Sequence, residues 1–562
     1  MPSRSWTQKR WEARAREPGS GPLAARVLAA RGHLGPDAAG FLNPGVHDLL
    51  DPAGLLGMPE ALDRLERALA RGEHLRLVTD YDVDGTTSCL ILHAALDRRI
   101  AADGSAAFVS YHIPDRMTEG YGLSERAVRA AAAEGVHLIV TADIGVRDHV
   151  TVRLARELGV DVIILDHHLT AGESVPPDAV AVICPPQPGC TYQNKALAAC
   201  GVSTKLATAL LARDPKRDTV LPSLWKLAAI GTVADIVDLS TPENRALVTL
   251  GLRELNRGPN GAGLAALLQV AGIQPGTITA ETIGFAIGPR INAAGRLKDA
   301  SAVVQLLRTR DARAAHEQAA AINALNNQRK DIQANMVAEA RERLGSGAPP
   351  AFIVVGGPET EGWHRGVNGI VAARIRDEFH RPCAAVSIIG EIATGSIRSV
   401  PTVHAVHALD GVADLLLRYG GHPVAAGFTL RSADLPAFST RLATFVTEHH
   451  DDEALVPVEQ YDVDADPREC TLAVVGALAA LEPCGKGNPP ARIAVTGPIT
   501  NVRVAKDLHV FGRIGPLPFV WWSGVGALPR DPGTATLLGH LAVHDDRGLE
   551  TVRLVVEDGR SA

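Results

Sequence analysis

The sequence is poor in aromatic residues, in paired cysteines and in long apolar runs. Phe, Trp and Tyr together make up only 4% of the 562 residues. The seven cysteines are odd in number and have no CxxC spacing, which argues against a zinc site or a disulfide framework and favours reduced thiols. No uninterrupted apolar run reaches the roughly 18 residues that a transmembrane helix needs, so no membrane association is predicted.

A strongly basic balance is also missing. The formal net charge is −7, which argues weakly against nonspecific binding to an anionic polymer, although a local basic groove can coexist with acidic groups elsewhere. The first residues, MPSRSWTQKRWEARAREPGSG, are charged and lack the apolar core of a secretory signal. We therefore expect a cytoplasmic protein.

What the sequence does contain is a regular alternation of strand-like and helical segments from about residue 55. The strand-like segments include HLRLVTD, AAFVSYHIP, VHLIVTAD and DVIILD, and amphipathic helical segments separate them. This alternation predicts right-handed βαβ units and therefore an α/β fold with a parallel sheet. In such a sheet, ligands bind at the carboxyl ends of the strands.

The length predicts several domains. We predict an N-terminal extension (1–54) that packs on a main α/β domain (55–310). A polar, alanine-rich segment (311–347) reads as a connecting helix, and a second, smaller α/β domain follows (348–450). Short strand-like pieces predict a small β unit at 455–562.

Acidic and histidine residues recur where the apolar segments of the main domain end. A lone aspartate there is usually a cap or a turn residue, and Asp84, before GTTS, could cap the helix that follows it. Four such places with the same chemistry favour a metal site, because crowded carboxylates repel unless a cation or protons neutralise them. Oxygen-rich ligands with one or two imidazoles suit Mn²⁺ or Mg²⁺. The residues are Asp80, Asp82, Asp84, Asp143, Asp166, His167, His168 and Asp235.

Four segments around these residues, DYDVDGTTS, TADIG, LDHHLT and GTVADIVDL, resemble in order the motifs of the DHH phosphoesterase superfamily. Further segments are similar to the RecJ family of bacterial single-strand-specific exonucleases within it. They are IPDRMTEGYGL (113–123), IGPRINAAGRL (287–297), WHRGVNGIVAARI (363–375), GSIRS (395–399), YGGHPVAAGF (419–428) and LEPCGKGNPPAR (481–492). The resemblance covers the chain from about residue 25 almost to its end.

The resemblance implies a parallel-sheet DHH domain, a connecting helix, a smaller α/β DHH-associated domain and a C-terminal OB-like β-barrel. It implies a single-stranded-DNA-specific 5′-to-3′ exonuclease that uses two-metal catalysis and releases 5′-mononucleotides in DNA repair and recombination. Single-strand-binding protein and a RecQ-type helicase are the implied protein partners, and a monomer is expected. Two alternatives are a DHH-type oligoribonucleotide or cyclic-dinucleotide phosphodiesterase and a nonenzymatic replication scaffold.

Carried over residue by residue, the resemblance assigns two Mn²⁺ or Mg²⁺ ions to Asp80, Asp82, Asp84, Asp143, His167 and Asp235. Asp143, His167 and His168 are the implied catalytic residues, with Asp143 as the bridging ligand and His168 against the scissile phosphate. His168 could instead be a buried structural histidine.

Phosphate-binding groups should be arginines, hydroxyls and backbone amides of glycine-rich turns. An isolated arginine is more often a solvated surface charge, and His422 could cap a helix. The candidates are Arg116, Arg290, Asn292, Arg296, Ser396, Arg398, Gly420, Gly421 and His422.

In the predicted C-terminal β unit, nucleic-acid bases could stack on the side chains of Phe511, Trp521 and Trp522. Because adjacent residues of a strand point to opposite faces, we expect one of the two tryptophans to lie in the core.

Overall fold

The computed structural model describes residues 4–14, 21–169, 172–546 and 548–562. Parts of the predicted N-terminal extension (1–3 and 15–20) and Thr170 of LDHHLT therefore lie outside the described residues. The strands are β1 (Arg10–Ala13), β2 (His74–Thr79), β3 (Phe108–His112), β4 (Leu138–Ala142), β5 (Asp161–Leu165), β6 (Ala181–Ile183), β7 (Ile353–Pro358), β8 (Cys383–Ile389), β9 (Ile392–Arg398), β10 (Leu416–His422), β11 (Ala425–Arg431), β12 (Val458–Tyr461), β13 (Val463–Ala465), β14 (Ile493–Ala505), β15 (His509–Ile514), β16 (Leu517–Trp521), β17 (Thr534–Asp546) and β18 (Leu549–Ser561).

The helices alternate with the strands from β2 to β5, and a run of helices without strands separates β6 from β7. They are α1 (Leu23–Ala30), α2 (Pro36–Leu42), α3 (Met58–Arg71), α4 (Val83–Asp103), α5 (Glu125–Ala133), α6 (His149–Glu157), α7 (Ala199–Leu210), α8 (Arg217–Ala234), α9 (Pro242–Arg257), α10 (Ala262–Val270), α11 (Ala280–Thr282), α12 (Gly288–Leu297), α13 (Ser301–Arg308), α14 (Ala312–Leu344), α15 (Asn368–Phe379), α16 (Ala405–Asp410), α17 (Leu435–His449) and α18 (Leu472–Ala479). In the part of the chain that the structure describes, none of them has the length and apolar character needed to cross a bilayer.

The chain divides into two compact units. Unit I comprises Ala39–Asn327 and the short segment Leu481–Pro490. Unit II comprises the described residues up to Ala38, Gln328–Ala480 and Ala491–Ala562.

Unit I is built on a five-stranded parallel sheet in the order β3-β2-β4-β5-β6. All residues of β2 and β4 are buried, as the near-continuous apolar runs of a sheet covered on both faces require. Leu75, Leu77 and Leu165 of the strands pack with Ile91 of α4 in one core. The predicted α/β fold with a parallel sheet is confirmed.

The loop from β2 into α4 is tight. A side chain on Gly85 would place its Cβ 2.3 Å from the carbonyl oxygen of Asp80, so only glycine allows the helix to begin this close to the strand end. Asp82 caps α4, because its Oδ1 accepts hydrogen bonds from the N–H groups of Asp84 (2.8 Å) and Gly85 (3.1 Å). This tight connection keeps Asp80, Asp82 and Asp84 close to the end of β2.

Unit II contains two larger sheets. The first has the order β10-β11-β9-β8-β7, in which only β7 and β8 pair in parallel, and Phe352, Phe428 and Phe438 lie in its core. The second has the order β13-β14-β15-β16-β18-β17. Because β17 also pairs with β14, the pairings of β14–β18 return to their starting strand. This supports the predicted OB-like unit, while a closed barrel stays a prediction.

The predicted N-terminal extension (1–54) divides between the two units. Its described residues up to Ala38 belong to unit II, whereas residues 39–54 belong to unit I together with the main α/β domain. Strand β1 pairs in parallel with β12, Trp11 Nε1 donates to Asp558 (2.9 Å), and Arg31 forms an ion pair with buried Asp462 (2.8 Å). The extension is rich in arginine, and in unit II it finds buried carboxylates that its guanidinium groups satisfy.

Residues 481–490, which we call the strap, were predicted to be part of the C-terminal β unit but belong to unit I. The buried guanidinium of Arg245 on α9 holds the strap. It donates to the carbonyl oxygens of Leu481 (2.9 Å), Glu482 (2.7 Å) and Pro483 (3.2 Å), and also to that of Phe41 (2.7 Å). One side chain thus satisfies four carbonyls.

Replacing Arg245 with alanine should destabilise unit I, because it removes the donor to the carbonyls of Phe41 and Glu482. The carbonyls of Leu481 and Pro483 keep the Asn488 side chain as a donor. At about 1–3 kcal/mol for each unsatisfied group that water cannot reach, we expect the thermal unfolding midpoint to fall by about 5–10 °C. The matched control is Arg253→Ala, which removes an exposed arginine from the same helix. Equal midpoints for the two variants would contradict this account of the strap.

Candidate metal centre

The carboxyl ends of three neighbouring strands bring the predicted site together. Asp80 follows β2, Asp143 follows β4, and the Asp166-His167-His168 run follows β5. Because β2, β4 and β5 are adjacent and parallel, these ends meet at one edge of the sheet. Asp235, the residue that caps the C-terminus of α8, reaches the same place.

His167 lies at the middle of the carboxylates. Its Nε2 is 3.3 Å from Asp143 Oδ1, 3.7 Å from Asp235 Oδ2 and 3.8 Å from Asp84 Oδ2. Three groups have ligand atoms within 4.8 Å of one another: Asp143, His167 and His168; Asp84, His167 and Asp235; and Asp80, Asp82 and Asp143. His167 and Asp143 each belong to two groups, so the three groups form one continuous cluster. A carboxylate such as that of Asp143 has two oxygens and could contact two neighbouring cations, whereas His167 Nε2 could bind one.

The donor set fits hard divalent cations. Asp80 Oδ1 and Asp143 Oδ1 are buried, and among the described residues neither has a hydrogen-bond partner. Buried charged oxygens are normally paired or bound to metal, and carboxylates with imidazole are suitable ligands for Mn²⁺ or Mg²⁺. The residues positioned here can therefore hold such ions.

Burial and mutual repulsion raise the pKa of four of these carboxyl groups. Burial is the largest cause at each, and the negative charges of neighbouring aspartates add to it. The pKa of Asp84 is raised to about 6, and the pKa values of Asp80, Asp143 and Asp235 are raised well above their usual range. A cation would remove this repulsion.

Asp84 has a structural role beside any metal role. Its Oδ2 and Oδ1 accept hydrogen bonds from the N–H groups of Ala199 (2.7 Å) and Cys200 (2.8 Å) at the start of α7. The alternative that Asp84 caps its own helix is therefore corrected, since Asp82 does so and Asp84 anchors another helix. Its Oδ2 still lies 3.8 Å from His167 Nε2.

Two backbone conformations at this edge are unusual. Asp143 has a φ of 66° and Ile236, which follows Asp235, has a φ of 58°. A β-branched residue in the left-handed region is a genuine outlier, and such strain is concentrated at functional sites. The Ile236 side chain is 64% exposed, so the strain does not serve core packing.

His168 is held by a carboxylate and a tyrosine. Its Nδ1 is 2.8 Å from Asp166 Oδ1 and 3.2 Å from the Tyr121 hydroxyl, which donates to the carbonyl oxygen of Asp143 (3.0 Å). Burial lowers the pKa of His168, but the hydrogen bond and charge of Asp166 outweigh burial and raise it. Burial raises the pKa of Asp166, but the hydrogen bond from His168, the charges of His168 and His167 and the hydrogen bond from the Val146 N–H together lower it.

Sequence reasoning missed Tyr121. The available signal was its position between two glycines, Gly120 and Gly122, which both have positive φ angles. The position of Tyr121 depends on the conformation of this turn, which helix or strand periodicity does not predict.

Two of the predicted phosphate-binding arginines of unit I lie beside Tyr81, next to Asp80 and Asp82. The guanidinium of Arg116 lies 5.1 Å from the Tyr81 ring centre, and a side chain on Gly295 would place its Cβ 2.5 Å from the Tyr81 carbonyl oxygen. Burial and Asp80 raise the pKa of Tyr81 to about 12, while the charges of Arg116 and Arg296 lower it.

Arg290 is engaged elsewhere. Its Nε donates to Asn323 Oδ1 (3.0 Å) and its Nη1 donates to the Ala286 carbonyl (2.7 Å), so it ties α12 to α14. Asn292, two residues further along α12, is half-buried.

Two parts of this chain match known protein families, and most of its length matches known proteins. Residues 74–232 match the DHH family, N-terminal domain, and residues 350–448 match the DHHA1 domain. The single-stranded-DNA-specific exonuclease RecJ of Bacillus subtilis is 39% identical over 478 residues, which cover 84% of this chain and 58% of that protein. The protein of the same name from Salmonella typhimurium is 36% identical over 515 residues, which cover 88% of this chain and 87% of that protein.

The chain belongs to the RecJ family. A crystal structure of RecJ with Mn²⁺ from Thermus thermophilus superposes with a TM-score of 0.79 at 31% identity, covering 98% of this chain and 80% of that one. The Mg²⁺ form of the Thermus protein gives 0.75 at 29% identity, covering 98% and 78%. RecJ relatives have thus been solved with both ions that suit the donor set described here.

The remaining predicted substrate residues of this RecJ-family chain lie on the β10-β11-β9 strands of unit II, and all of them except Gly421 share one face of the sheet. Ser396, Gly427 and Gly420 are register partners in one row, and Arg398, Ala425 and His422 are partners in the row that is two residues away. The core side chains Ile397 and Phe428 point to the other face. His422 lies on a strand, so the alternative of a helix cap is excluded.

Glycines keep this face open. A Cβ on Gly420 or Gly427 would meet nothing within 4 Å. Gly421, at φ 150°, would instead place a Cβ 2.4 Å from the Ala425 carbonyl oxygen. The hydroxyl, guanidinium and imidazole groups of this face therefore lie next to exposed backbone at Gly420 and Gly427.

Replacing Asp143 with asparagine should stabilise the metal-free RecJ-family protein and abolish its response to Mn²⁺. The substitution removes a buried charge that neighbouring aspartates repel. In EDTA we expect a higher thermal unfolding midpoint than in the wild type, whereas Mn²⁺ should raise the midpoint of the wild type alone. Asp63→Ala, which changes an exposed aspartate of α3, is the control. An unchanged Mn²⁺ shift in the Asp143 variant would remove Asp143 from the site.

The pH dependence of stability should follow from the same carboxyl groups. The pKa of Asp84 is about 6 in the folded state and about 3.9 when unfolded, so the folded state binds more protons between these values. The free energy of unfolding of the EDTA-treated protein should therefore fall as pH rises from about 4 through 6 and beyond. Urea unfolding at several pH values measures this, and a rise over that window would contradict the assigned repulsion.

Proposed function

We propose that this protein is a metal-dependent exonuclease that hydrolyses the phosphodiester bonds of single-stranded DNA. The observation that carries the proposal is the set of three overlapping aspartate and histidine groups at the carboxyl edge of the unit I sheet. The names of the RecJ relatives support single-stranded DNA as the substrate. By the same likeness the enzyme degrades from the 5′ end, releases 5′-mononucleotides and serves DNA repair and recombination.

In this proposal two Mn²⁺ or Mg²⁺ ions are held by the six ligands Asp80, Asp82, Asp84, Asp143, His167 and Asp235. Bound cations of this kind neutralise charge that develops at phosphorus and lower the pKa of the attacking water. Asp143, which belongs to two groups and has two carboxylate oxygens, is the residue best positioned to be shared, and His167 Nε2 would bind one ion.

His168 is proposed to donate a proton to the scissile phosphate or the leaving oxygen. Asp166 accepts from Nδ1 and raises the pKa of the ring, which favours the protonated form, whose other nitrogen is a donor. The Tyr121 hydroxyl, 3.2 Å from the same Nδ1, would fix the orientation of the ring. The metal ligand beside it, His167, takes no part in proton transfer.

The substrate backbone is proposed to contact charged and hydroxyl groups in both units. In unit I they are Arg116 and Arg296, with Arg290 and Asn292 positioning α12. In unit II they are Ser396, Arg398, Gly420, Gly421 and His422. Phosphate contacts of this type orient a strand without reading its sequence.

The C-terminal strands are proposed to bind bases further along the strand. Trp522 is 49% exposed, whereas Trp521 is 4% exposed and lies in the core. The Trp522 ring stands edge-on to Phe511 (5.9 Å) and His509 (5.0 Å), and Arg503 lies over Phe511 (4.9 Å). Exposed aromatic rings next to a cation are typical of sites that stack single-stranded bases.

We further propose the cytoplasm as its location, a monomeric state, and cooperation with a RecQ-type helicase and single-strand-binding protein. Their support is the family likeness, since a single-strand exonuclease needs unwound substrate.

The direct test uses long single-stranded oligodeoxynucleotides in Mn²⁺, blocked at either the 5′ or the 3′ end. We expect mononucleotide release unless the 5′ end is blocked, no attack on a blunt duplex, and no activity in Asp143→Asn. Cleavage of dinucleotides without degradation of long strands would instead indicate an oligonucleotide phosphodiesterase. An inactive wild type with intact Mn²⁺ binding would favour a scaffold.

Trp522→Ala should weaken binding of long single strands by about 1–3 kcal/mol through the loss of one stacked base, without lowering the thermal unfolding midpoint. Trp522→Phe, which keeps a stacking ring, is the matched control and should retain most of the affinity. Trp521→Ala should lower the midpoint instead, because Trp521 stacks on Trp6 (6.2 Å) in the core of unit II. Fluorescence anisotropy with a labelled oligonucleotide measures the affinities, and equal affinities of Trp522→Ala and wild type would refute base stacking.

A further inference from the structure

The strap carries a lysine to the edge of the metal centre. Its tip is Gly485-Lys486-Gly487, and the Leu239 N–H donates to the Lys486 carbonyl (2.8 Å). Leu239 lies four residues beyond the metal-site residue Asp235. The tip therefore rests on the segment that leaves the metal centre after α8.

Several contacts fix the position of this tip. The Asn488 side chain donates to the carbonyl oxygens of Leu481 (2.7 Å) and Pro483 (3.0 Å), and Gly485 and Asn488 form a two-residue bridge. Gly487, at φ 77°, lies so close to Asp238 that a Cβ there would be 1.8 Å from Asp238 Oδ1. Together with the Arg245 contacts, these bonds leave the tip little freedom to move.

The lysine side chain itself has no structural partner. Lys486 is exposed, and in the part of the chain that the structure describes its ammonium forms no ion pair and no hydrogen bond. Its backbone lies on the segment that follows Asp235, because the Lys486 carbonyl accepts from the Leu239 N–H and Gly487 lies against Asp238. A rigid backbone thus presents an uncommitted cation beside the acidic cluster.

We propose that Lys486 is a substrate-binding residue whose ammonium contacts a phosphate of the substrate strand next to the metal centre. A lysine between two glycines on a fixed turn is suited to approach a phosphodiester closely, and an unpaired ammonium loses no internal ion pair when it binds one. This inference rests on the proposed function, because it takes single-stranded DNA as the substrate.

Two binding measurements separate this role from a structural one. A positive charge beside the cluster attracts phosphate but repels Mn²⁺. Removing it should therefore weaken DNA binding while leaving Mn²⁺ binding unchanged or tighter. A lysine that merely supported the fold would weaken both when removed.

The experiment compares Lys486→Ala, Lys486→Arg and Lys486→Glu in the full chain. Lys216→Ala, an exposed lysine at the opposite end of α8 from Asp235, is the matched control. Anisotropy with labelled oligodeoxythymidylate in EDTA prevents hydrolysis and reports DNA affinity over a range of salt concentrations. Calorimetry with Mn²⁺ alone reports metal affinity.

We expect Lys486→Ala to weaken DNA binding by about three- to tenfold, the size of one partly exposed charged contact. The slope of log K against log salt should fall by about 0.7, the value for one phosphate contact to a single strand. Lys486→Arg should keep most of the affinity, and Lys486→Glu should lose more than Lys486→Ala.

Wild-type DNA affinity and salt slope in Lys486→Ala would overturn the proposal, as would weaker Mn²⁺ binding in that variant. These outcomes are distinct from failure of the proposed function. A wild type that binds oligodeoxythymidylate but cannot hydrolyse it would refute the nuclease and leave the role of Lys486 to be judged by the binding data alone.

Discussion

Buried negative charge is the constraint on which the rest of this structure depends. Asp84, Asp143 and Asp235 lie within 3.8 Å of the His167 imidazole, and Asp80 lies beside Asp143. These surroundings raise the pKa of all four carboxyl groups. Without a cation, folding must place repelling carboxylates together at a cost in stability. The same crowding creates a site for divalent cations, whose binding would offset the repulsion.

The scaffold around the cluster is rigid where the chemistry needs it. Asp84 is anchored to the first N–H groups of α7, and the strap is anchored to Arg245. Asp143 and Ile236 keep left-handed backbone conformations that only surrounding packing can maintain. Because these groups are already fixed, substrate binding does not have to pay the entropy of ordering them. More of the binding energy is then available to orient the substrate.

Much of the site could be predicted from the sequence, because parallel strands bring their carboxyl ends together whatever the details of packing. Asp80, Asp143 and His167 could be placed at one edge from the apolar runs before them. Arg290 could not, since only packing decides that its guanidinium binds Asn323 instead of facing the acidic cluster. The strap was also misplaced, because its nearest partners are more than two hundred residues away in sequence.

The sequence by itself determined the α/β alternation, the parallel sheet and the positions of the acidic residues along the chain. Those features follow from local periodicity and from strand ends, which neighbouring residues encode. Only the tertiary structure decided that the residues up to Ala38 join unit II, that Tyr121 meets His168 and that Lys486 meets Leu239. Such contacts join segments distant in sequence, and their partners are selected by shape and charge that no local pattern records.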